Sequence, residues 1–105
     1  MLHEYQHTVT ERFMRYVQID TQSNPNSNNH PSTDKQKNLS KLLANELLAI
    51  GLTDAHTDEW GYVYATIPAT SQKSVPVIAF CSHIDTAPDC SGTNVQPIVH
   101  RNYQG

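Results

Sequence analysis

Val75-Pro76-Val77-Ile78-Ala79-Phe80-Cys81 runs directly into Ser82-His83-Ile84-Asp85-Thr86-Ala87-Pro88 (VPVIAFCSHIDTAP). The first seven residues are nearly all apolar, as a strand covered on both faces by helices requires. They predict a central strand and, with it, an α/β fold. In open α/β sheets the carboxyl ends of central strands face the crevice where ligands bind. The strand's period of two places His83 and Asp85 on one side. An imidazole that binds a metal through one nitrogen is oriented and made more basic when its other nitrogen donates to a carboxylate. His83 is therefore the candidate metal ligand, and Asp85 the acid that supports it or another catalytic element. The tripeptide alone decides nothing, because this composition gives about 0.3 chance occurrences of His-x-Asp. Its weight comes from its place after a buried-strand pattern.

Upstream, Val9, Phe13, Tyr16 and Val17 recur at helical spacing, with Thr10 placed to cap and Glu11 at the positive end of the dipole. Thr21 to Pro31 (TQSNPNSNNHP) is a loop, since Asn and Ser compete for backbone hydrogen bonds and Pro blocks helix continuation. Thr33 and Gln36 have capping-box spacing. Leu39, Leu42, Leu43, Leu47 and Ile50 then mark a helix over residues 34–50, closed by Gly51. From Asp54 the pattern changes to short stretches broken at Glu59-Trp60-Gly61 and stopped by Pro68, which predicts paired strands around a turn. Residues 89–105 carry turn residues at Gly92, Asn94 and Pro97 and no sustained period. The expected architecture is two helices packed on a mixed sheet, in a single partial domain spanning residues 1–105.

Composition narrows the function. The 105 residues suffice for one small domain. A net charge of -3 with no basic cluster argues against nucleic acid. No apolar run approaches the roughly 20 residues of a membrane helix, and Met1-Leu2-His3-Glu4 opens no secretory signal, so a cytoplasmic, non-membrane protein is expected. Cys81 and Cys90 lack Cys-x-x-Cys spacing, so unpaired thiols are expected. Neither is the preferred nucleophile.

A rival motif lies at His3-Glu4-Tyr5-Gln6-His7, which satisfies H-E-x-x-H, the zincin pattern of two His one turn apart with a Glu that activates water. Composition gives only about 0.013 such matches. A zincin helix must nevertheless be held rigidly, and only Met1 and Leu2 precede this one. Solvated residues before the first helix are the expected reading. His30, which precedes Pro31 in the Asn-rich loop, His56 and His100 are expected at the surface. Trp60 beside Gly61 is expected to pack on the hairpin.

Several blocks together resemble the amino-terminal part of the cocatalytic-zinc exopeptidases, and within that family the peptidase T branch of tripeptide aminopeptidases. Residues 11–23 (ERFMRYVQIDTQS) resemble its opening helix and loop, and Pro31-Ser32-Thr33 its next helix start. Gly61 to Pro68 resembles a strand ending in Ala-Thr-x-Pro, and residues 82–95 (SHIDTAPDCSGTNV) the first metal-ligand motif. His-x-Asp-Thr-x-Pro belongs to the wider family, whereas Asp-Cys-Ser-Gly and Asp-Thr-Gln-Ser narrow the likeness. Lys35 departs from it, standing where many relatives carry Gly.

The resemblance implies that His83 is a zinc ligand and Asp85 the neighbouring catalytic carboxylate that fixes its ring. It also implies two zinc ions in the complete enzyme, a small peptide substrate and possible homo-oligomerisation. The bridging Asp, paired glutamates, a further carboxylate and a distant His would all come after Gly105. A catalytic zinc site needs at least three protein ligands and a water, so the 105 residues alone are expected to be inactive. Marginal stability or self-association is also expected, because the central strand would lack neighbours. The alternatives are a small non-enzymatic α/β binding module using the crevice beside His83, or a zincin-type site at His3, Glu4 and His7.

Overall fold

Helix α1 (Val9–Tyr16) begins earlier than Thr10 would place it. Thr8 caps it instead: its extended backbone lets its hydroxyl accept from the Glu11 amide at 3.2 Å, while the Glu11 carboxylate accepts from the Thr8 amide at 2.6 Å. This is a reciprocal capping box. The computed structural model describes residues 8–105, so His3, Glu4 and His7 lie outside the described residues.

Helix α2 (Gln36–Ala49) starts two residues later than the sequence spacing predicts, and no side chain caps it. The Thr33 hydroxyl does not turn inward to the helix; it donates to the Gln22 carbonyl at 2.9 Å, and the Gln36 side chain donates to Thr33 Oγ1 at 3.1 Å. The expected capping box is thus replaced by a tertiary contact. At the other end Gly51 takes φ 99°, and the Leu52 and Gly51 amides donate to the Leu47 and Leu48 carbonyls at 3.0 Å. This left-handed closure satisfies carbonyls that the helix leaves open.

Strands β1 (His56–Thr57) and β2 (Val63–Tyr64) pair antiparallel, with His56 opposite Tyr64 and Thr57 opposite Val63. Asp58 makes the intervening turn, its Oδ1 accepting from the Trp60 and Tyr62 amides at 3.0 and 2.9 Å. Helix α2 packs on both strands. Ser40, only 1% exposed, donates to the Gly61 carbonyl at 2.6 Å, and Leu39, Ala44, Leu52 and Ala55 form the apolar core around this contact. Trp60 is half-exposed, with its ring centroid 6.0 Å from that of His30.

Helix α1 is fastened to α2 by polar contacts. Arg15 and Tyr16 both donate to the Glu46 carboxylate, and Arg12 Nε lies 3.6 Å from its Oε2. Burial would raise the Glu46 carboxyl, but the bonds from Tyr16 and Arg15 and the positive charges of Arg15 and Arg12 outweigh it and hold the group below the usual carboxylate range. The same burial, with the Glu46 bond and charge, pushes the Tyr16 phenol up to about 12. Glu46→Ala is expected to lower stability by about 1–3 kcal/mol in urea melts at neutral pH. Because the Glu46 pKa is depressed on folding, its contribution is present above the unfolded carboxylate value and fades as pH falls through the folded one. The wild type and variant curves should therefore converge in acid. Tyr16 is raised on folding, so its contribution holds below its unfolded value of 10.0 and is lost as pH climbs through about 12.

The expected central strand does not form: residues 75–81 carry no ladder, and Val77 and Phe80 are each 96% exposed. A strand exists only through a neighbour that accepts and donates along its backbone, and no described segment runs beside this one. Among the described residues the sheet is accordingly a two-stranded antiparallel hairpin rather than a mixed sheet, and α2 packs on it. The one parallel pairing among the described residues is an isolated bridge between Gln22 and Thr86. The radius of gyration is 16.6 Å, against about 13 Å for a compact domain of this length. Among the described residues no helix is long and apolar enough to cross a membrane.

Candidate functional site

His83 and Asp85 meet as the spacing predicts, with His83 Nδ1 3.1 Å from Asp85 Oδ1. A carboxylate only accepts, so Nδ1 carries the hydrogen, and in the neutral form of the ring Nε2 keeps its lone pair. The His83 side chain is 83% exposed and that of Asp85 40% exposed. Both line a cleft of about 1480 Å³ together with His30, Trp60 and Tyr62. The ring is not enclosed in hydrocarbon.

The loop carrying this pair is held from a distance by Asp20-Thr21-Gln22-Ser23. Thr86 donates its amide to the Thr21 carbonyl at 3.2 Å and accepts from the Ser23 amide at 2.9 Å and the Ser23 hydroxyl at 3.0 Å. The Gln22 side-chain amide donates to the Pro88 carbonyl at 3.0 Å and to the Cys90 carbonyl at 2.8 Å. Asp20 completes the clasp. It accepts from the Gln22 amide at 3.0 Å and the Thr93 hydroxyl at 2.9 Å, while Lys35 Nζ lies 2.8 Å from each of its oxygens. The Lys35 bond first, then the Gln22 amide, holds the Asp20 carboxyl below its usual range against a smaller opposing effect of desolvation. Gly92 fits under this carboxylate because it has no side chain: a Cβ there would lie 2.6 Å from Asp20 Oδ1.

The residues present fit one corner of a metal site. Among the described residues no group of three His, Cys, Asp or Glu side chains comes together to hold a metal ion. His83 Nε2 offers a single ligand atom where a zinc site needs three or four from protein. His30 bonds Tyr62 Oη at 3.0 Å, His56 bonds the Asp54 carbonyl at 2.7 Å, and His100 is exposed, so none converges on His83. Cys81 and Cys90 are free thiols. The clasp is the feature that sequence spacing missed, because contacts between segments more than 60 residues apart leave no local period to read.

The cleft and its exposed imidazole suit a ligand-binding or catalytic class, and the curated proteins that match the chain are peptidases. The Peptidase T of Desulfitobacterium hafniense (strain Y51) is 56% identical over 98 residues, covering 93% of this chain and 24% of that relative. The Peptidase T of Geobacillus sp. (strain WCH70) is 52% identical over 97 residues, and that of Clostridium acetobutylicum 54% identical over 97; each comparison covers 92% of this chain and 24% of the relative. No family model matches. Over 92–93% of its length the chain is similar to these curated Peptidase T proteins, and it spans about a quarter of their length.

Proposed function

We propose that this chain is the His-x-Asp portion of the catalytic domain of a cytoplasmic tripeptide aminopeptidase, with His83 as one zinc ligand through Nε2. Asp85 acts through His83, fixing the ring and its tautomer. The observation that carries this reading is the His83–Asp85 hydrogen bond, formed at a cleft and within a stretch 52–56% identical to peptidase T proteins. Zinc in such a centre supplies a water acidic enough to attack a peptide bond near neutral pH. The remaining ligands, and the site for a small peptide, would come from outside the described residues, among which no group of three metal-ligating side chains forms. Homo-oligomerisation would belong to the complete enzyme, and neither nucleic acid nor membrane has a place in this reading.

Calorimetric zinc titration tests it. Weak binding to the chain is expected, lost in His83→Ala, weakened about 10–100-fold in Asp85→Ala, and retained in a His3→Ala/His7→Ala variant. The chain should not cleave tripeptides. Binding that survives loss of His83 and disappears with His3 and His7 would overturn the assignment in favour of a zincin-type site. Turnover by the bare chain would overturn the division of the centre between this segment and others.

A further inference from the structure

We infer that Gln22 is a positioning residue for the His83–Asp85 pair, acting through the Pro88–Cys90 turn. The inference deepens the reading proposed above and rests on it for the role of His83. The pair stands at the surface, and no ladder holds the chain that leads into it. Its restraint comes from the residues on the carboxyl side of Asp85. Thr86 is pinned by backbone bonds to Thr21 and Ser23, and the next turn, Pro88 to Cys90, is gripped by the Gln22 side chain. Each hydrogen of that amide goes to a different carbonyl, so one side chain spans the turn.

Gln22 is itself immobilised. Its backbone amide donates to Asp20, and its carbonyl accepts from Thr33 at the entry to α2. The grip thus transmits the position of the α2 entrance to the loop that carries Asp85. A carboxylate that must orient an imidazole needs its backbone held to within about half an ångström. Loosening the Pro88–Cys90 turn frees Asp85 to rotate away from Nδ1, and the hydrogen then redistributes between the two ring nitrogens.

Two substitutions separate hydrogen bonding from bulk. Gln22→Glu keeps the shape and loses both donors; Gln22→Met keeps the volume without the polar amide. Nitrogen NMR of the His83 ring at pH 8 reads the tautomer directly, with the metal-free chain as the sample. The wild type should show the Nδ1–H form, and both variants a shift towards Nε2–H, with α1 and α2 unchanged by circular dichroism. Unchanged tautomers in both variants would overturn the proposal. So would helices that melt along with the tautomer change, since Gln22 would then hold the fold and not the pair. Zinc added to the same samples forms a separate arm. Loss of about tenfold in affinity at His83 is expected in the variants. A wild-type ring that ignores zinc while its tautomer still depends on Gln22 would overturn the metal reading and leave the positioning role standing.

Discussion

Light scattering on the purified chain is expected to give a mass that climbs with concentration, and a Val77→Lys/Phe80→Lys variant is expected to stay monomeric. Val77 and Phe80 are each 96% exposed, and Ile78 between them is 78% exposed. Such a segment has strong strand composition and no partner, the condition under which edges and apolar stretches recruit another molecule. Burying one large apolar side chain is worth about 1.5–3 kcal/mol. Removing each should therefore weaken association roughly tenfold to a hundredfold. Urea melts monitored alongside should be broad for the wild type. A sharp, cooperative and concentration-independent transition would show that the segment is satisfied within one molecule.

The second large effect is expected from Gly92→Ala. The added Cβ would lie 2.6 Å from Asp20 Oδ1, closer than non-bonded atoms approach. The Asp20 carboxylate cannot swing aside cheaply, because Lys35, Thr93 and the Gln22 amide all hold it. Overpacking of this kind costs about 1–3 kcal/mol, so opening of the clasp should become roughly 5- to 150-fold more frequent. Hydrogen exchange at the Thr86 amide, which donates to Thr21, measures that opening; amides within α2 should not change. The same amide should report acid sensitivity. Asp20 has its pKa lowered on folding, so the clasp is fully supported above the unfolded carboxylate value and is released as pH falls through the folded one. Equal exchange at Thr86 in Gly92→Ala and wild type would mean that the loop yields at Gly92 without strain.

Elements whose signals are local were legible in the sequence. The three- and four-residue steps of α2, its Gly51 closure and the turn at Glu59-Trp60-Gly61 all appear where their spacing places them. The His83–Asp85 contact was legible for the same reason, since its members stand two positions apart. The cap of α1 could have been read correctly, because Thr8-x-x-Glu11 carries the reciprocal pattern that Thr10 lacks. Thr33 misled because a hydroxyl at capping distance can equally bond a distant carbonyl, here that of Gln22. The apolar run at 75–81 misled differently. Composition reports what a segment would bury if covered, and says nothing of whether neighbours exist to cover it. The likeness at Asp20-Thr21-Gln22-Ser23 pointed to a family, but no spacing within it indicates that it grips a loop beginning at Thr86.

The 73-residue separation between Asp20 and Thr93 also sets an order of events on the ribosome. At roughly 5–20 residues per second, about 4–15 s pass between synthesis of the two partners. Helices and hairpins form within microseconds of becoming free to do so. Both helices and the hairpin are therefore in place long before the emerging chain can tie its later segment back, and the imidazole of His83 meets its fixed surroundings last. If His83 holds a metal as proposed, its capture during biosynthesis would have to wait for that final tethering.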